Sequence, residues 1–227
     1  HGKYHNFVAS IKGTKYPDEY VIISGHLDAY DVATGGIDCG TGIGPMMEAA
    51  RMIALSGAKP KRTILFVAFA GEEFGLLGAK AYVKTHAKEL GKIANLFNRD
   101  GGPTPPVGIS VPQAMYDDFV EVCKPVKEIR ADYPFEVKVA KPFKRPTQSG
   151  GTDASVFAVE GVPTFGFNTQ DIKGYNFSYG EIWHTERDLY TKNIPEYQEH
   201  AATVTAVVAL GIANLSKQLS REGMHKK

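Results

Sequence analysis

Residues 63–75 read TILFVAFAGEEFG and join an apolar run to two adjacent carboxylates. The apolar run over 63–70 predicts a strand that is buried on both faces, as in the parallel sheets of α/β proteins. Successive side chains of a strand point to opposite faces, so Glu72 and Glu73 would share one site only where the backbone turns, and the glycines beside them permit a turn. Adjacent carboxylates also repel each other unless a cation or a proton is near. The segment therefore indicates a charged functional site or, alternatively, an ordinary acidic pair at a helix N-terminus.

The rest of the chain alternates strand and helix patterns around this segment. Strands are predicted at 7–11, 20–24, 63–70, 93–97, 135–140 and 163–167, and helices at 43–55, 76–90, 114–124, 152–159 and 195–219. Strands separated by helices need crossover connections, which favour parallel pairing. The expected fold class is α/β, a single three-layer domain over residues 1–227 with a mixed, mostly parallel central sheet flanked by helices. The Tyr- and Gly-rich loop 168–194 has a length typical of functional loops.

The composition is that of an average globular domain. Among 227 residues, 26 Lys and Arg balance 25 Asp and Glu, and 43% of the residues are hydrophobic. A formal charge of +1 predicts no nucleic-acid partner, and the composition excludes a disordered or fibrous chain. Cys39 and Cys123 are too few for a disulfide framework or a thiolate zinc site. The longest apolar stretch, 201–215, is too short to span a bilayer, so no membrane partner is predicted.

His26 and Asp28 directly follow the predicted strand 20–24. The carboxyl ends of the strands form the ligand-binding edge of open α/β sheets. Side chains two residues apart in an extended segment face the same way, so the Asp28 carboxylate is expected to hydrogen-bond the imidazole and fix its tautomer. The alternative is an ordinary His–Asp pair on the surface.

Three other places carry candidate ligands. Asp38 lies in a glycine-rich stretch just before a helix, where it could instead be a cap or a turn former. Asp100 follows the predicted strand 93–97, and His184 lies late in the long loop. Two histidines with several carboxylates and no thiolate suit zinc or a similar divalent cation with open coordination positions. The pattern therefore favours a metal-assisted hydrolase.

Five short motifs give a resemblance to a known family. In order they are 24–28 (SGHLD), 36–40 (GIDCG), 69–75 (FAGEEFG), 99–100 (RD) and 183–185 (WHT). Together with 150–153 (GGTD) and 161–163 (GVP), they resemble peptidase family M28, the co-catalytic zinc peptidases, over nearly the whole chain. The pattern is most similar to the carboxypeptidase Q branch, whose members often carry an upstream protease-associated domain. The resemblance implies a zinc-exopeptidase fold and a catalytic domain whose N-terminal portion is absent.

The resemblance also implies a role for each candidate residue. It implies two zinc ions bridged by Asp38, with His26 and Asp100 on one ion and Glu73 and His184 on the other. Glu72 would be the general base, and Asp28 would orient His26. The implied substrate pocket comprises Asp153, Tyr175, Tyr179 and Trp183. A tyrosine of the long loop would donate a hydrogen bond to the oxyanion, although tyrosines in such loops also serve in packing.

Cys39 departs from the family pattern. The residue after the bridging aspartate is commonly Asp or Asn in this family, joined by a cis peptide bond. Neither side chain is expected to bind metal directly, so the cysteine need not disturb the site. We expect a buried, inert thiol at Cys39, the alternatives being an oxidation site or an additional metal ligand.

The function expected from the resemblance is hydrolysis of a peptide bond next to a free chain end. The enzyme would be an aminopeptidase, a carboxypeptidase or a dipeptidase, with a peptide or dipeptide as substrate. A glutaminyl-peptide cyclotransferase with one zinc ion is the alternative, and a non-catalytic binding domain on the same fold is a third. The resemblance also implies an extracytoplasmic location, whereas nothing in the sequence indicates an oligomeric state.

Overall fold

The computed structural model describes residues 2–226. Their strands are β1 (Phe7–Ile11), β2 (Tyr16–His26), β3 (Arg62–Phe69), β4 (Ile93–Asn98), β5 (Pro106–Pro112), β6 (Glu136–Ala140), β7 (Phe143–Lys144), β8 (Phe167–Thr169) and β9 (Met224–Lys226). Their α-helices are α1 (Gly40–Leu55), α2 (Leu77–Thr85), α3 (Tyr116–Ile129), α4 (Asp153–Val159) and α5 (Pro195–Ala213).

The strands that carry the candidate site form a four-stranded sheet in the order β1-β3-β2-β4. β2 is parallel to both β3 and β4, whereas β1 is antiparallel to β3. A three-stranded sheet, β6-β5-β8, has one parallel and one antiparallel pair. The segment 163–169 connects the two sheets, because the Leu96 N–H of β4 donates to Pro163 O at 2.9 Å and β8 then pairs with β5. The predicted mixed, mostly parallel arrangement is therefore confirmed.

Helices cover both faces of the four-stranded sheet. Along β3, Ile64, Phe66 and Ala68 belong to the apolar core shared with α1 and α5. The intervening Val67 and Phe69 belong to the core shared with α2 and α4. All five side chains are buried, as predicted for this strand. The structure thus has the helix–sheet–helix layers expected of an α/β fold.

Several strand assignments differ from the prediction: β2 begins at Tyr16, the short strands β7 and β9 were not predicted, and two larger differences concern 163–166 and β5. The segment 163–166 has no strand geometry, although 167–169 does. The strand β5 was not predicted, because its sequence begins and ends with proline, a residue that disfavours strands. Pro106 and Pro112 occupy only the first and last positions of β5, where a missing N–H is tolerated. The residues between them therefore remain free to pair with both β6 and β8.

The final helix, α5, ends at Ala213 rather than at the predicted 219. The next residue, Asn214, accepts a hydrogen bond from the Lys61 N–H at 3.1 Å through its side-chain Oδ1. The Lys61 ammonium group also donates to the backbone oxygen of Asn214 at 2.8 Å, an oxygen that would otherwise be free to continue the helix. None of the helices within residues 2–226 combines the length and the apolar character that crossing a membrane requires.

Replacing Gly42 with alanine is expected to destabilise the fold, because α1 closely approaches the chain after β4. A Cβ at Gly42 would lie 2.1 Å from the Arg99 carbonyl oxygen and 2.4 Å from Cys39 Sγ. We expect the free energy of unfolding to fall by roughly 1–3 kcal/mol, as for an overpacked core. Gly44→Ala is the matched control, since an added Cβ at Gly44 of the same helix would meet nothing within 4 Å. Urea unfolding measures both variants, and equal stabilities would contradict the prediction.

Candidate metal centre

Three parallel strands deliver the candidate side chains to one edge of the sheet. β2 ends at His26, β3 is followed by Glu72 and Glu73, and β4 is followed by Asp100. Because these strands are parallel, their carboxyl ends lie together, which is where open α/β sheets bind ligands. The structure therefore gathers at this edge the strand-end residues that the sequence singled out.

His26 faces two carboxylates through one ring nitrogen. Its Nε2 lies 3.0 Å from Asp38 Oδ1 and 3.4 Å from Asp100 Oδ1. Its Nδ1 donates a hydrogen bond to the backbone oxygen of Asp28 at 2.9 Å, which leaves the lone pair of Nε2 directed at the carboxylates. We call His26, Asp38 and Asp100 the His26 donor set. Although burial alone would lower the pKa of His26, the carboxylates of Asp100 and Asp38 raise it overall, so the imidazole strongly attracts a positive charge at Nε2.

A second donor set shares Asp38 and extends to the long loop. His184 Nε2 lies 2.9 Å from Glu73 Oε2 and 3.9 Å from Asp38 Oδ2. Ligand atoms of Asp38, Glu73 and His184 all lie within 4.8 Å of one another. We call these three residues the His184 donor set. Glu73 Oε1 is buried and has no hydrogen-bond partner among the described residues, which is a costly state for a carboxylate oxygen without a cation.

The chemistry of the two donor sets fits divalent cations. Each set combines one imidazole nitrogen with carboxylate oxygens, which is a ligand combination that zinc accepts. Asp38 belongs to both sets through different oxygens, Oδ1 toward His26 and Oδ2 toward His184. The unpartnered Glu73 Oε1 supplies a further donor atom. The residues present therefore have the chemistry to hold divalent cations, and Asp38 lies where it could contribute to both donor sets.

Asp38 is held in place by a carboxylate that the sequence did not single out. Asp188 Oδ1 accepts from the Ile37 N–H at 2.7 Å, and its Oδ2 accepts from the Asp38 N–H at 3.2 Å. Asp188 is buried, and the Asp38–Cys39 peptide bond that it supports is cis. The only sequence signal for this role was the proximity of Asp188 to His184. A contact between segments so distant in sequence cannot be deduced from local pattern.

The side-chain contacts of Asp28 differ from those predicted. Its carboxylate was expected to hydrogen-bond the His26 imidazole, but Oδ1 lies 3.8 Å from Nδ1, and the backbone oxygen of Asp28 accepts that bond instead. The carboxylate accepts from the backbone N–H groups of Glu72 and Glu73, each at 3.0 Å. The chain turns after β3, so these two N–H groups converge on one carboxylate. Asp28 therefore fixes both His26 and the two glutamates, through different atoms.

Glu72 lies beside both donor sets in a position shielded from water. It is 9% exposed, and its ligand atom lies within 4.8 Å of those of His26 and Glu73. Burial, with the charge of Asp100 as the next cause, raises the pKa of Glu72 to about 8. A carboxyl group with such a pKa can hold a proton near neutral pH, and a bound cation would lower this value. Glu72 thus has the character of an acid–base group.

Comparison with known proteins places the chain in a family. The sequence profile of peptidase family M28 matches residues 6–208. The chain belongs to peptidase family M28. Carboxypeptidase Q of Rattus norvegicus is 32% identical over 216 residues, which are 95% of this chain and 43% of that protein. The family assignment confirms the resemblance drawn from the five motifs and identifies a domain of the metallopeptidase class, whose members are hydrolases.

Two further relatives agree with this assignment. A probable zinc metalloprotease of Pyrenophora tritici-repentis is 39% identical over 101 residues, which are 41% of this chain and 23% of that protein. The crystal structure of a peptidase M28 precursor from Shewanella amazonensis has 33% identity and a TM-score of 0.78, and the match covers 95% of this chain and 46% of that one. Zinc is thus the metal that the family similarity supports. The chain spans less than half the length of these relatives.

A cleft of about 500 Å³ opens over the donor sets of this M28 domain. Its lining includes Glu72, Glu73, Tyr179, Trp183 and His184. Burial, together with the charge of Asp38, raises the pKa of Tyr179, so its hydroxyl keeps its proton and remains a hydrogen-bond donor. Trp183 is half exposed at the cleft wall. The structure therefore brings two of the four predicted pocket residues to the cleft.

The other two predicted pocket residues do not line the cleft. Asp153 is the first residue of α4 and is fully buried, because the helix packs against the sheet there. Tyr175 directs its hydroxyl to Glu196 and packs edge-on against Tyr197, at the start of α5. Asp153 thus lies beneath the cleft and Tyr175 lies outside it. The Tyr-rich loop pattern could not distinguish Tyr175 from Tyr179, because their surroundings depend on distant parts of the chain.

Asp153 is expected to make stability depend on pH. Both of its carboxylate oxygens lack a hydrogen-bond partner among the described residues, and burial raises its pKa from 3.8 to about 7. The folded state therefore binds the proton more tightly than the unfolded state, and stability is lost as the pH rises from about 4 through about 7. Asp153→Asn removes the charge. Relative to wild type, this variant should gain a few kcal/mol between pH 4 and pH 8, since one pKa unit is about 1.4 kcal/mol.

Urea unfolding of both metal-free proteins at several pH values measures the effect of Asp153→Asn. Asp117→Asn, at an exposed position of α3, is the control and should follow the wild type at every pH. A constant difference between wild type and Asp153→Asn across this range would contradict the prediction.

Cys39 occupies a closed position next to the metal centre. Its side chain is buried, and the thiol donates to the Arg99 carbonyl oxygen at 3.0 Å. Burial raises the pKa of the Cys39 thiol, which keeps the sulfur protonated. A protonated, inaccessible thiol is a poor nucleophile, so these contacts favour the inert role over oxidation. The Cys39 Sγ also lies within 4.8 Å of ligand atoms of His26 and Asp100, close enough for the alternative role of an additional metal ligand.

Proposed function

We propose that this domain is the catalytic part of a zinc exopeptidase that hydrolyses peptide bonds next to a free chain end. The observation that carries the proposal is the sharing of Asp38 by two donor sets, with Glu72 beside both. His26, Asp38 and Asp100 would hold one zinc ion, and Asp38, Glu73 and His184 would hold the other. When bound, the zinc pair supplies a water of lowered pKa and polarises the scissile carbonyl.

Glu72 would move the protons of the reaction. As a carboxylate it accepts the proton of the attacking water, and the C–N bond then breaks as the same carboxyl donates that proton to the leaving amine. One water is consumed, and its second proton ends on the amine, so the products are a carboxylate and an ammonium group. The position of Glu72 supports this role, because its carboxyl group is shielded from bulk water and lies beside both donor sets, within reach of a water held there.

Tyr179 would assist at the carbonyl oxygen. Its side chain lines the cleft next to Asp38, and its raised pKa keeps the hydroxyl protonated. A hydrogen bond donated by this hydroxyl would stabilise the negative charge that develops on the oxygen. Trp183, at the wall of the same cleft, would contact the substrate side chain.

A panel of peptides tests the proposed function. The panel holds an unblocked dipeptide, an unblocked tripeptide, and peptides blocked at the amino end, at the carboxyl end or at both ends, each assayed with zinc-loaded enzyme. Hydrolysis of peptides that keep at least one free end is the expected result. An aminopeptidase would also cleave the carboxyl-blocked peptide, a carboxypeptidase would also cleave the amino-blocked peptide, and a dipeptidase would cleave the unblocked dipeptide alone. Hydrolysis of internal bonds in doubly blocked peptides would contradict the proposal. Full activity after removal of zinc would contradict it as well.

A glutaminyl-peptide cyclotransferase is the second candidate, and one observation favours it. A glutaminyl cyclase from an Acidobacteriales bacterium has the same fold, with a TM-score of 0.65 at 17% identity over 92% of this chain and 73% of that one. That enzyme class would release ammonia from an N-terminal glutamine without consuming water. Zinc analysis together with a glutaminyl peptide distinguishes the two: two zinc ions and hydrolysis support the peptidase, whereas one zinc ion and cyclisation support the cyclotransferase.

An extracytoplasmic location belongs to the same proposal. It rests on similarity to relatives such as the Shewanella amazonensis protein, which is described as a precursor. Fractionation of the cells that produce the full-length protein tests it, and recovery in the cytoplasm would contradict it.

A further inference from the structure

His184 differs from the other histidine of the metal centre in how its backbone is supported. His26 ends a strand in the middle of the sheet, whereas His184 lies in the loop between β8 and α5 at a left-handed φ of 57°. The His184 side chain is 31% exposed, compared with 1% for His26. Neither a sheet nor a helix therefore fixes the imidazole of His184. Some other contact must hold its ring in the plane that directs Nε2 at Glu73 and Asp38.

Two aromatic rings stack on this imidazole. The Tyr30 ring is almost parallel to it, at 5° with the centroids 4.2 Å apart, and the indole of Trp183 lies at 29° and 4.1 Å. Two rings so close and so nearly parallel to a third would overlap each other if they lay on the same side. Tyr30 and Trp183 must therefore cover opposite faces of the His184 imidazole.

Tyr30 belongs to the segment that follows His26 and Asp28, and its ring extends from there to His184. It follows Asp28 by two residues, and the Ala33 N–H donates to its carbonyl oxygen at 3.0 Å in a tight turn. The Thr34 hydroxyl then donates to the Asp188 carbonyl oxygen at 3.4 Å, which ties this turn to the loop that carries His184. The segment that follows His26 in the chain thus also contacts the imidazole ring of His184.

We propose that Tyr30 is a positioning residue that clamps the His184 imidazole against Trp183 and so sets the affinity of the His184 donor set for its metal. The proposal rests on the proposed function only in taking that metal to be zinc. Trp183 adjoins His184 in the same loop, so Tyr30 is the part of the clamp that a separate segment of the chain supplies. Stacked aromatic pairs stabilise by an amount that corresponds to roughly three- to tenfold in a binding constant. The ring of Tyr30, rather than its hydroxyl, is the group that matters.

Two variants of Tyr30 and one control test this role. Tyr30→Phe keeps the ring, Tyr30→Leu removes it, and Tyr190→Leu removes an exposed aromatic ring outside the clamp. Chelator competition measures the two zinc affinities of each protein. We expect Tyr30→Leu to weaken one site roughly three- to tenfold and to leave the other unchanged, with Tyr30→Phe and Tyr190→Leu at wild-type affinity. Wild-type affinity at both sites in Tyr30→Leu, or an equal loss in Tyr30→Phe, would overturn the proposal.

Proton NMR of the wild-type protein gives a measurement that needs no stable Tyr30 variant. Rings stacked on both faces should shift the carbon-bound protons of His184 upfield, and the signals are assigned by their loss in His184→Asn. His184 protons at the positions of a free imidazole would overturn the proposal. A protein that shows these shifts and two zinc sites but hydrolyses no peptide would refute the proposed exopeptidase function and leave the role of Tyr30 supported.

Discussion

Replacing Glu72 with glutamine is expected to lower kcat by roughly 10²–10⁴-fold while the zinc content stays at the wild-type level. Glutamine has nearly the same shape, and the Glu72 N–H bond to Asp28 involves only the backbone, so the turn after β3 should persist. An amide cannot accept the proton of the attacking water, so the loss should fall on kcat rather than on KM. Turnover of an unblocked dipeptide and zinc analysis of the same sample measure the two effects.

Glu128→Gln is the matched control for this substitution. Glu128 is exposed on α3, away from the cleft, so the control should keep both activity and zinc. If Glu72→Gln retained most of its kcat, another group would be the base. If Glu72→Gln lost zinc together with activity, Glu72 would be a ligand rather than the base.

Replacing Asp38 with asparagine is expected to remove both metals and all measurable activity. Asp38 is the one residue common to the two donor sets, so its charge attracts both cations. A neutral amide offers one carbonyl oxygen and cannot bridge two ions as a carboxylate does. We expect less than one zinc ion per chain after dialysis and an affinity at least about 100-fold lower at each site. Mass-spectrometric metal analysis and chelator competition provide these values.

Two other substitutions show whether the effect at Asp38 arises from the shared position. His184→Asn removes a ligand of one donor set only, so it should leave one zinc ion bound. Asp117→Asn, at an exposed position of α3, removes a charge of the same kind and should leave both. Two zinc ions retained in Asp38→Asn, or both lost in His184→Asn, would contradict a bridged pair.

The strand-end part of the site was predictable from sequence because strand direction and site position are coupled. A strand buried on both faces is recognisable from its apolar composition. In a parallel sheet, the residues that follow each strand lie together at one edge. His26, Glu73 and Asp100 could be placed in this way before their distances were known. Asp38 and His184 were candidate ligands from their residue types alone, but no strand end carries them, so their roles came from the family resemblance.

The remaining contacts depend on how separate segments meet. The carboxylate of Asp28 was paired with His26 from the two-residue spacing, yet the turn after β3 offers it two backbone N–H groups instead. Asp188 gave no local signal, because its hydrogen-bond partners lie far away in sequence. The burial of Asp153 depends on the packing of α4 against the sheet. The local hydrophobic pattern of the sequence predicts helices and strands well. It predicts poorly which side chains from different helices and strands contact each other.

The bond between Asp188 and the backbone before α1 bears on the order in which the metal centre forms. Asp188 and Ile37 are 151 residues apart, and His184 lies just before Asp188 in the same loop. During synthesis, the residues of the His26 donor set leave the ribosome long before this loop does. Both donor sets include Asp38, whose backbone N–H donates to Asp188 of that loop at 3.2 Å. The paired site is therefore complete only after the late loop has docked on the segment before α1.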